Sequence, residues 1–267
     1  MRLTDTMIHW AFAAACAAAA LPAAGAAERD GSAAPTAAPA ASRPALAADA
    51  QAVLERMSAY LGGLERFSIR ARETRDEVLA YGYKLQRQQV ANMVVQRPDK
   101  LRVEVEGDLK TRSFVYDGKT LAILAPGQGV YAQVDAPPAL GPLLNGLLNR
   151  GVEMPLVDML LQAIEGDLAA GVLGGRLVGE SRVDGVAVDH LAFRQATIDW
   201  QLWVEKGPRP LPRKLVITTR FEVGEPQFTA LLDWNLRPEI AAGTFDFVPP
   251  PGARRIGFAG DDAGGRP

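Results

Sequence analysis

The sequence predicts a mainly β, α+β fold: one large antiparallel sheet of about eleven strands, with three helices against it. Three observations carry this. Apolar and polar residues alternate with a period of two from Phe67 to Ala136, and again from Gly175 to the end of "EPQFTALLDWNLRPE", the mark of half-buried strands. Turn signals such as Asp117-Gly118 and Asp184-Gly185 join neighbouring runs tightly, which only antiparallel neighbours allow. Helical spacing is confined to three short stretches and does not alternate with the strands one by one, so a parallel doubly wound sheet is excluded.

Bulk properties bound the rest. The 267 residues carry a formal net charge of −2 with acids and bases interspersed, which leaves no basic stripe for nucleic acid. Residues 1–26 read as a secretory signal peptide: Arg2, an Ala-rich apolar run, the Leu21-Pro22 break and the small-residue site Ala24-Gly25-Ala26. That run is too weakly hydrophobic for a membrane span, so the mature chain is expected to have no transmembrane segment and to be periplasmic. Residues 27–48 are rich in Ala, Pro and Ser, cannot bury a core and read as a disordered lead. A single domain over 49–255 and a flexible Gly/Asp tail over 256–267 complete the expected layout. The one cysteine, Cys16, lies inside the signal, so the mature chain has no disulfide and its stability must come from its core. Alternatively "AAAC" is a lipobox and the protein is a lipoprotein anchored through Cys16.

Along the chain, Asp49 reads as the N-cap of a first helix with Val53, Met57, Tyr60, Leu61 and Leu64 on one face. Strands follow in "FSIRARETRDEVL", "YGYKLQRQQVANMVVQRP" and "DKLRVEVEG", then in the segment 111–137 with turns at Asp117-Gly118 and Gly127-Gln128-Gly129. In the third of these Leu101, Val103 and Val105 face in while Arg102, Glu104 and Glu106 face out. Helical spacing returns after Pro137-Pro138. Leu140, Leu143, Leu144, Leu147 and Leu148 form one face, and Pro155 opens another helix with Leu156, Met159, Leu160 and Ile164 on a face and Val157 and Leu161 beside it. Strands resume with "GRLVGESRVDGVAVDHLAFRQ" and continue through the sets Trp200, Leu202, Val204 and Phe228, Ala230, Leu232, Trp234.

The chemistry-bearing residues are few. "FVYDGKTLAIL" holds Gly118-Lys119-Thr120, the ending of a phosphate loop, but Ser113 stands where such a loop needs its first glycine and a strand follows where a helix is needed. The stretch therefore reads as a hairpin, with a type I′ corner at Asp117-Gly118. The mature chain has one histidine, His190, and no Gly-x-Ser-x-Gly motif. His190 follows Asp189 in a strand, so the two side chains point to opposite faces and cannot act together. Asp76-Glu77, with Arg72 and Arg75 nearby, reads as a solvated charged turn rather than a glycosidase pair. Trp200 and Trp203 are expected on opposite sides of their strand. No cofactor or metal is implied, and an exported hydrolase is the least supported function class.

The order "DAQAVLERMSAYLGGLERFS", "RPDKLRVEVEGD", "FVYDGKTLAIL", "YAQVDAP", the Leu-rich helices near "MPLVDMLL" and the closing "FDFVPPPGA" resembles a family of predicted periplasmic bacterial proteins of unknown function. That family is similar in organisation to the LolA/LolB-like outer-membrane lipoprotein carrier superfamily. The matching positions are Arg97-Pro98 with Arg102, the Asp117-Gly118 turn, and Phe245, Phe247 and Pro249. The resemblance implies a half-open antiparallel β-barrel whose helices cover the concave face over an apolar cavity. Its motifs are structural, so it implies a fold more than a cargo. The expected function is a periplasmic, non-catalytic binding or carrier module for a lipid, a lipoprotein acyl chain or another apolar small molecule. The expected cavity residues are Met57, Leu61 and Leu64, then Leu144, Leu147 and Leu148, then Met159 and Leu160. Two alternatives stay open: the helices simply plug the sheet, or the shell is an envelope-stress sensor or assembly factor that binds an envelope protein partner.

Overall fold

The computed structural model of the protein describes residues 46–150, 155–165 and 168–258. The expected signal peptide, Cys16, nearly all of the 27–48 lead and residues 259–267 of the tail lie outside the described residues. Helix α1 spans Ala48–Gly62 and buries Ala50, Val53, Leu54, Met57 and Leu61, a three- and four-residue repeat. Asp49 is not its N-cap. Ala47 holds that position without a side-chain cap bond, and Asp49 sits in the first turn, where its carboxylate accepts the Ala50 amide at 2.7 Å and meets the positive end of the helix dipole. At the other end the Arg97 guanidinium donates to the Gly62 carbonyl at 2.6 Å, satisfying one of the groups a helix leaves bare.

The first meander is β1 (Arg66–Val78), β2 (Lys84–Gln96), β3 (Lys100–Gly107), β4 (Thr111–Tyr116), β5 (Thr120–Ala125) and β6 (Val130–Asp135). Helices α2 (Leu140–Asn149) and α3 (Pro155–Glu165) follow. The second meander is β7 (Gly174–Val183), β8 (Val186–Arg194), β9 (Ile198–Glu205), β10 (Pro212–Thr219) and β11 (Gln227–Asn235). Alternation thus located six strands and then five; the twelfth, β12 (Arg254–Arg255), is two residues long and too short to show a period. It pairs parallel to β6, while every other pairing is antiparallel. The order is β12-β6-β5-β4-β3-β2-β1-β11-β10-β9-β8-β7. The meanders join through β1 and β11, from Ser68 opposite Asn235 to Arg75 opposite Phe228. Because β7 and β12 are the free ends of that order, the barrel stays half-open.

Asp117 and Gly118 do form a hairpin corner, but its type differs from expectation. Of the two, only Gly118 has positive φ, at 88°, and the Asp117 amide donates to the Thr120 carbonyl at 3.3 Å. The central pair is therefore Gly118-Lys119, a type II′ pattern. The reason is the Asp117 side chain, which stays outside the turn's centre and accepts the amides of Lys119 and Thr120 at 2.8 and 2.7 Å. The type I′ corner occurs instead at Asp184-Gly185, where both φ values are positive, 46° and 80°.

One continuous core fills the concave side. The inward residues of the strands, among them Ile69, Met93, Val103, Leu191, Leu202 and Ala230, meet the buried faces of all three helices. On the outer face the C-terminal segment crosses the first meander. Phe245 is buried there, the Phe247 ring lies 5.4 Å from that of Tyr131, and Arg102 donates to the Thr244 carbonyl at 3.1 Å. Contact continues past β12, where the Ile256 amide donates to the Tyr131 carbonyl at 2.8 Å.

Candidate functional site

The site to be weighed is the space between the three helices and the concave face. α1 enters from the β7 edge, where Leu46 bridges to Gly175, and α3 packs against both α1 and α2. The Leu spacing explains why the helices lie flat on the sheet. Leu143, Leu144 and Leu147 of α2 and Leu156, Met159 and Leu160 of α3 are all buried, and each such side chain favours burial by about 1.5–3 kcal/mol.

Of the eight residues expected at a cavity, Met57, Leu61, Leu144, Leu147, Met159 and Leu160 are buried in the shared core and Leu64 packs against it half-buried. Leu148 is half-buried and lies outside that cluster. The lid and sheet nearly meet. A cavity of about 20 Å³ remains under α3, with Met159 and Gln162 on the helix side and Ile198, Trp200, Leu215 and Ile217 on the strand side. That is room for about one water molecule. Met159 is the one expected site residue on its wall. Gln195 and Leu168 close its end, and among the described residues no charged side chain lines it.

Sequence reasoning set Trp200 and Trp203 on opposite faces without saying which is inner, and had no signal for Gln162, Gln195 or Leu215 as neighbours of Trp200. It also missed Glu73. This residue continues the inward series Phe67, Ile69, Ala71 on β1, is 7 % exposed, and accepts a hydrogen bond from the Gln89 amide opposite it. Burial pushes its carboxyl above the ordinary glutamate value, against smaller lowering effects of the Gln89 bond and of Arg75.

A second recess, about 230 Å³, lies on the outer face between β4–β6 and the C-terminal segment. Asp117, Thr120, Gln133 and Asp246 make it polar, unsuited to an apolar chain. His190 donates its Nε2–H to Gln201 Oε1 at 3.0 Å and stacks on Trp203 with ring centroids 4.1 Å apart. Asp76 and Glu77 pair with Lys84 and Arg87 at 3.3 and 2.7 Å across the β1–β2 hairpin. Trp203 faces outward under Lys214 while Trp200 faces in against Phe193. Among the described residues no three metal-ligating side chains converge, and no helix is long and apolar enough to cross a membrane. Three neighbouring hairpin corners expose apolar side chains: Tyr81 and Tyr83 at β1–β2, Leu109 at β3–β4, and Phe221 and Val223 at β10–β11.

Several solved structures are similar to the chain at low identity. LprF from Mycobacterium bovis is similar at 15% identity with a TM-score of 0.47, over 74% of this chain and 98% of that one. An uncharacterized conserved protein from Thermus thermophilus is similar at 14% identity and a TM-score of 0.45, over 79% and 99%. A LolA superfamily protein from Nitrosomonas europaea is similar at 12% identity and a TM-score of 0.35, over 73% and 96%. No curated protein matches the chain. Residues 50–259, nearly the whole folded part, match one family, and the chain belongs to it: the predicted periplasmic proteins of DUF2092.

Proposed function

We propose that this periplasmic protein is a non-catalytic carrier that holds a lipid, an acyl chain or another apolar molecule between α1–α3 and the concave face of the half-open barrel. The observation that carries the reading is the shared core itself. Three amphipathic helices turn their apolar faces onto one open sheet, and among the described residues the small cavity left between them has no charged wall. Met57, Leu61, Leu64, Leu144, Leu147, Leu148, Met159 and Leu160 are the proposed apolar contacts, gained when the helices lift and the ligand replaces part of the helix–sheet packing.

The test is native mass spectrometry of the protein taken from its own envelope, together with saturable binding of an apolar dye. Co-purified lipid, or saturable dye fluorescence that Leu147→Trp blocks, is the expected result. Failure of both the retained lipid and the dye binding sinks the carrier reading. One observation favours a second reading, an envelope protein partner: the exposed Tyr81, Tyr83 and Phe221 on adjacent corners. Crosslinking at Tyr81 in the intact envelope that yields one specific protein adduct, with a lipid-free interior, is the outcome that supports it.

A further inference from the structure

Among the described residues, two buried side-chain polar atoms make no hydrogen bond to the protein: Nε1 of Trp200 and Oγ1 of Thr219. Both residues are 5 % exposed. They also share one place. Trp200 stands opposite Ile217 and Ile198 opposite Thr219 in the β9–β10 ladder. Alternation puts all four on the concave face, and Ile198, Trp200 and Ile217 line the cavity under α3. Nature leaves such groups unpaired rarely, because a buried donor without an acceptor loses its water and gains nothing. Elsewhere in this fold the rule holds: the other inward tryptophan, Trp234, donates its Nε1–H to the Pro212 carbonyl at 2.7 Å.

The polar groups beside them on the strand side are already committed. The Gln195 amide donates to the Ala170 carbonyl at 3.0 Å. Arg194 is held by both carboxylate oxygens of Asp199 at 2.7 Å each, on the outer face. Arg220 donates to the Gln195 carbonyl at 3.2 Å and lies over the Phe221 ring. The indole of Trp200 is fixed by stacking on Phe193, centroids 4.0 Å apart. Among the described residues this part of the core thus offers the Trp200 indole, with the Thr219 hydroxyl beside it on the same face and the uncharged Gln162 amide across the cavity, and no cation. A carboxylate or phosphate entering it would be a buried charge without a counter-charge, which is strongly disfavoured. An uncharged carbonyl oxygen meets no such penalty.

We propose that Trp200 Nε1–H and the Thr219 hydroxyl anchor the carbonyl of a neutral acyl ester whose hydrocarbon lies between α3 and the concave face. This rests on the carrier reading and names its ligand class. Entry requires the α3 wall to yield, and Met159, unbranched and flexible, is the side chain on that wall most able to do so.

The experiment uses the delipidated mature chain and three probes that displace an apolar dye: dioleoylglycerol, its dialkyl ether analogue without carbonyls, and oleate. The expected result is dioleoylglycerol binding about tenfold tighter than the ether, the worth of one good hydrogen bond, with oleate weaker than the ester. Trp200→Phe keeps a smaller aromatic ring and removes the donor. It is expected to abolish the ester-over-ether preference, whatever the smaller ring does to the binding of both probes alike. Thr219→Val provides the same test if the indole substitution fails to fold. Equal binding of ester and ether to the wild type, a preference that survives both substitutions, or oleate binding tightest each overturns the anchor while leaving the carrier reading intact; the first would mean that a water molecule satisfies both groups. Binding of none of the three probes overturns the carrier reading as well.

Discussion

Met159→Ala separates packing from binding at the place where lid and sheet do not fully meet. Met159 is 5 % exposed and stands on the wall of a cavity of about 20 Å³. The substitution removes three heavy atoms beyond the β-carbon. At about 0.8 kcal/mol per buried methylene-sized group the transfer loss is about 2.5 kcal/mol. The void left after partial collapse of its neighbours adds about 24 cal/mol per Å³, so roughly 1 kcal/mol for roughly 50 Å³. The expected destabilisation is therefore about 3.5 kcal/mol, inside the usual range for such truncations. Urea unfolding is the assay, with the slope of free energy against urea unchanged and the midpoint lowered. The same variant has more room under α3, so a saturating apolar probe is expected to restore more stability to it than to the wild type, up to about 2.7 kcal/mol at a hundred times its Kd. A midpoint that moves by less than about 0.5 kcal/mol refutes the packed lid. A large loss with no extra gain from the probe refutes the cavity as the binding place.

Three further outcomes are expected. Gly118→Ala forces a side chain onto φ of 88° and drives its β-carbon into the Asp99 carboxylate, inside van der Waals contact, so thermal unfolding is expected to show a loss of at least about 1–2 kcal/mol; Gly127→Ala, with nothing within 4 Å, is the control. Asp117→Ala removes the acceptor of two turn amides at about 1 kcal/mol or more. Burial raises the Asp117 carboxyl, but the Thr120 and Lys119 amides and Lys100 together hold it below the ordinary range. Its contribution is thus present above the usual aspartate value and lost as pH falls through the lower folded one, and the variant is expected to lack that acid-limb slope in melts at low pH. Glu73 has the opposite sign. Its folded value is raised by burial, so the folded state keeps a proton the unfolded chain has lost, and stability falls as pH rises from the ordinary glutamate value through the raised one. Glu73→Gln, which can keep an amide contact to Gln89, is expected to remove that decline and melt higher at neutral pH; an unchanged pH profile refutes the assignment.

What could be read from the sequence was what local spacing decides. The Leu spacing located α2 from Leu140 and the proline located α3 from Pro155, because amphipathic periodicity and the missing proline amide are properties of a few adjacent residues. Period-two alternation located β1 to β11 for the same reason. Features decided across strands were not legible. Glu73 sits in the charged 72–77 segment, and although it keeps the inward alternation of Phe67, Ile69 and Ala71, its pairing with Gln89, which lets a carboxyl be buried there, is set across strands. Asp117 fitted a type I′ corner by composition, while its own carboxylate drew the turn to Gly118-Lys119. The eight apolar residues were recognisable as a face, but which of them touches the gap depends on how α3 sits over β9 and β10. That relation joins residues 159, 200 and 217, with no local signature.

On the proposed carrier reading, a nearly filled interior is what the empty protein needs. An open apolar trough in the periplasm would expose several hundred Å² of hydrocarbon-like surface and bind indiscriminately. Here Leu147, Leu156, Met159 and Leu160 cover the concave face instead. Ligand affinity is then the difference between ligand–sheet contacts and the helix–sheet contacts they replace, and that difference can be small even when both are large. A lid of this kind favours reversible exchange over tight storage. The two unpaired groups at Trp200 and Thr219 tilt the balance in a specific direction. The closed state satisfies every apolar side chain around them and neither polar atom, so only a ligand bringing an acceptor improves on it. On that proposal discrimination lies in the Trp200 and Thr219 pair, while the helix faces set how tightly a chain is held.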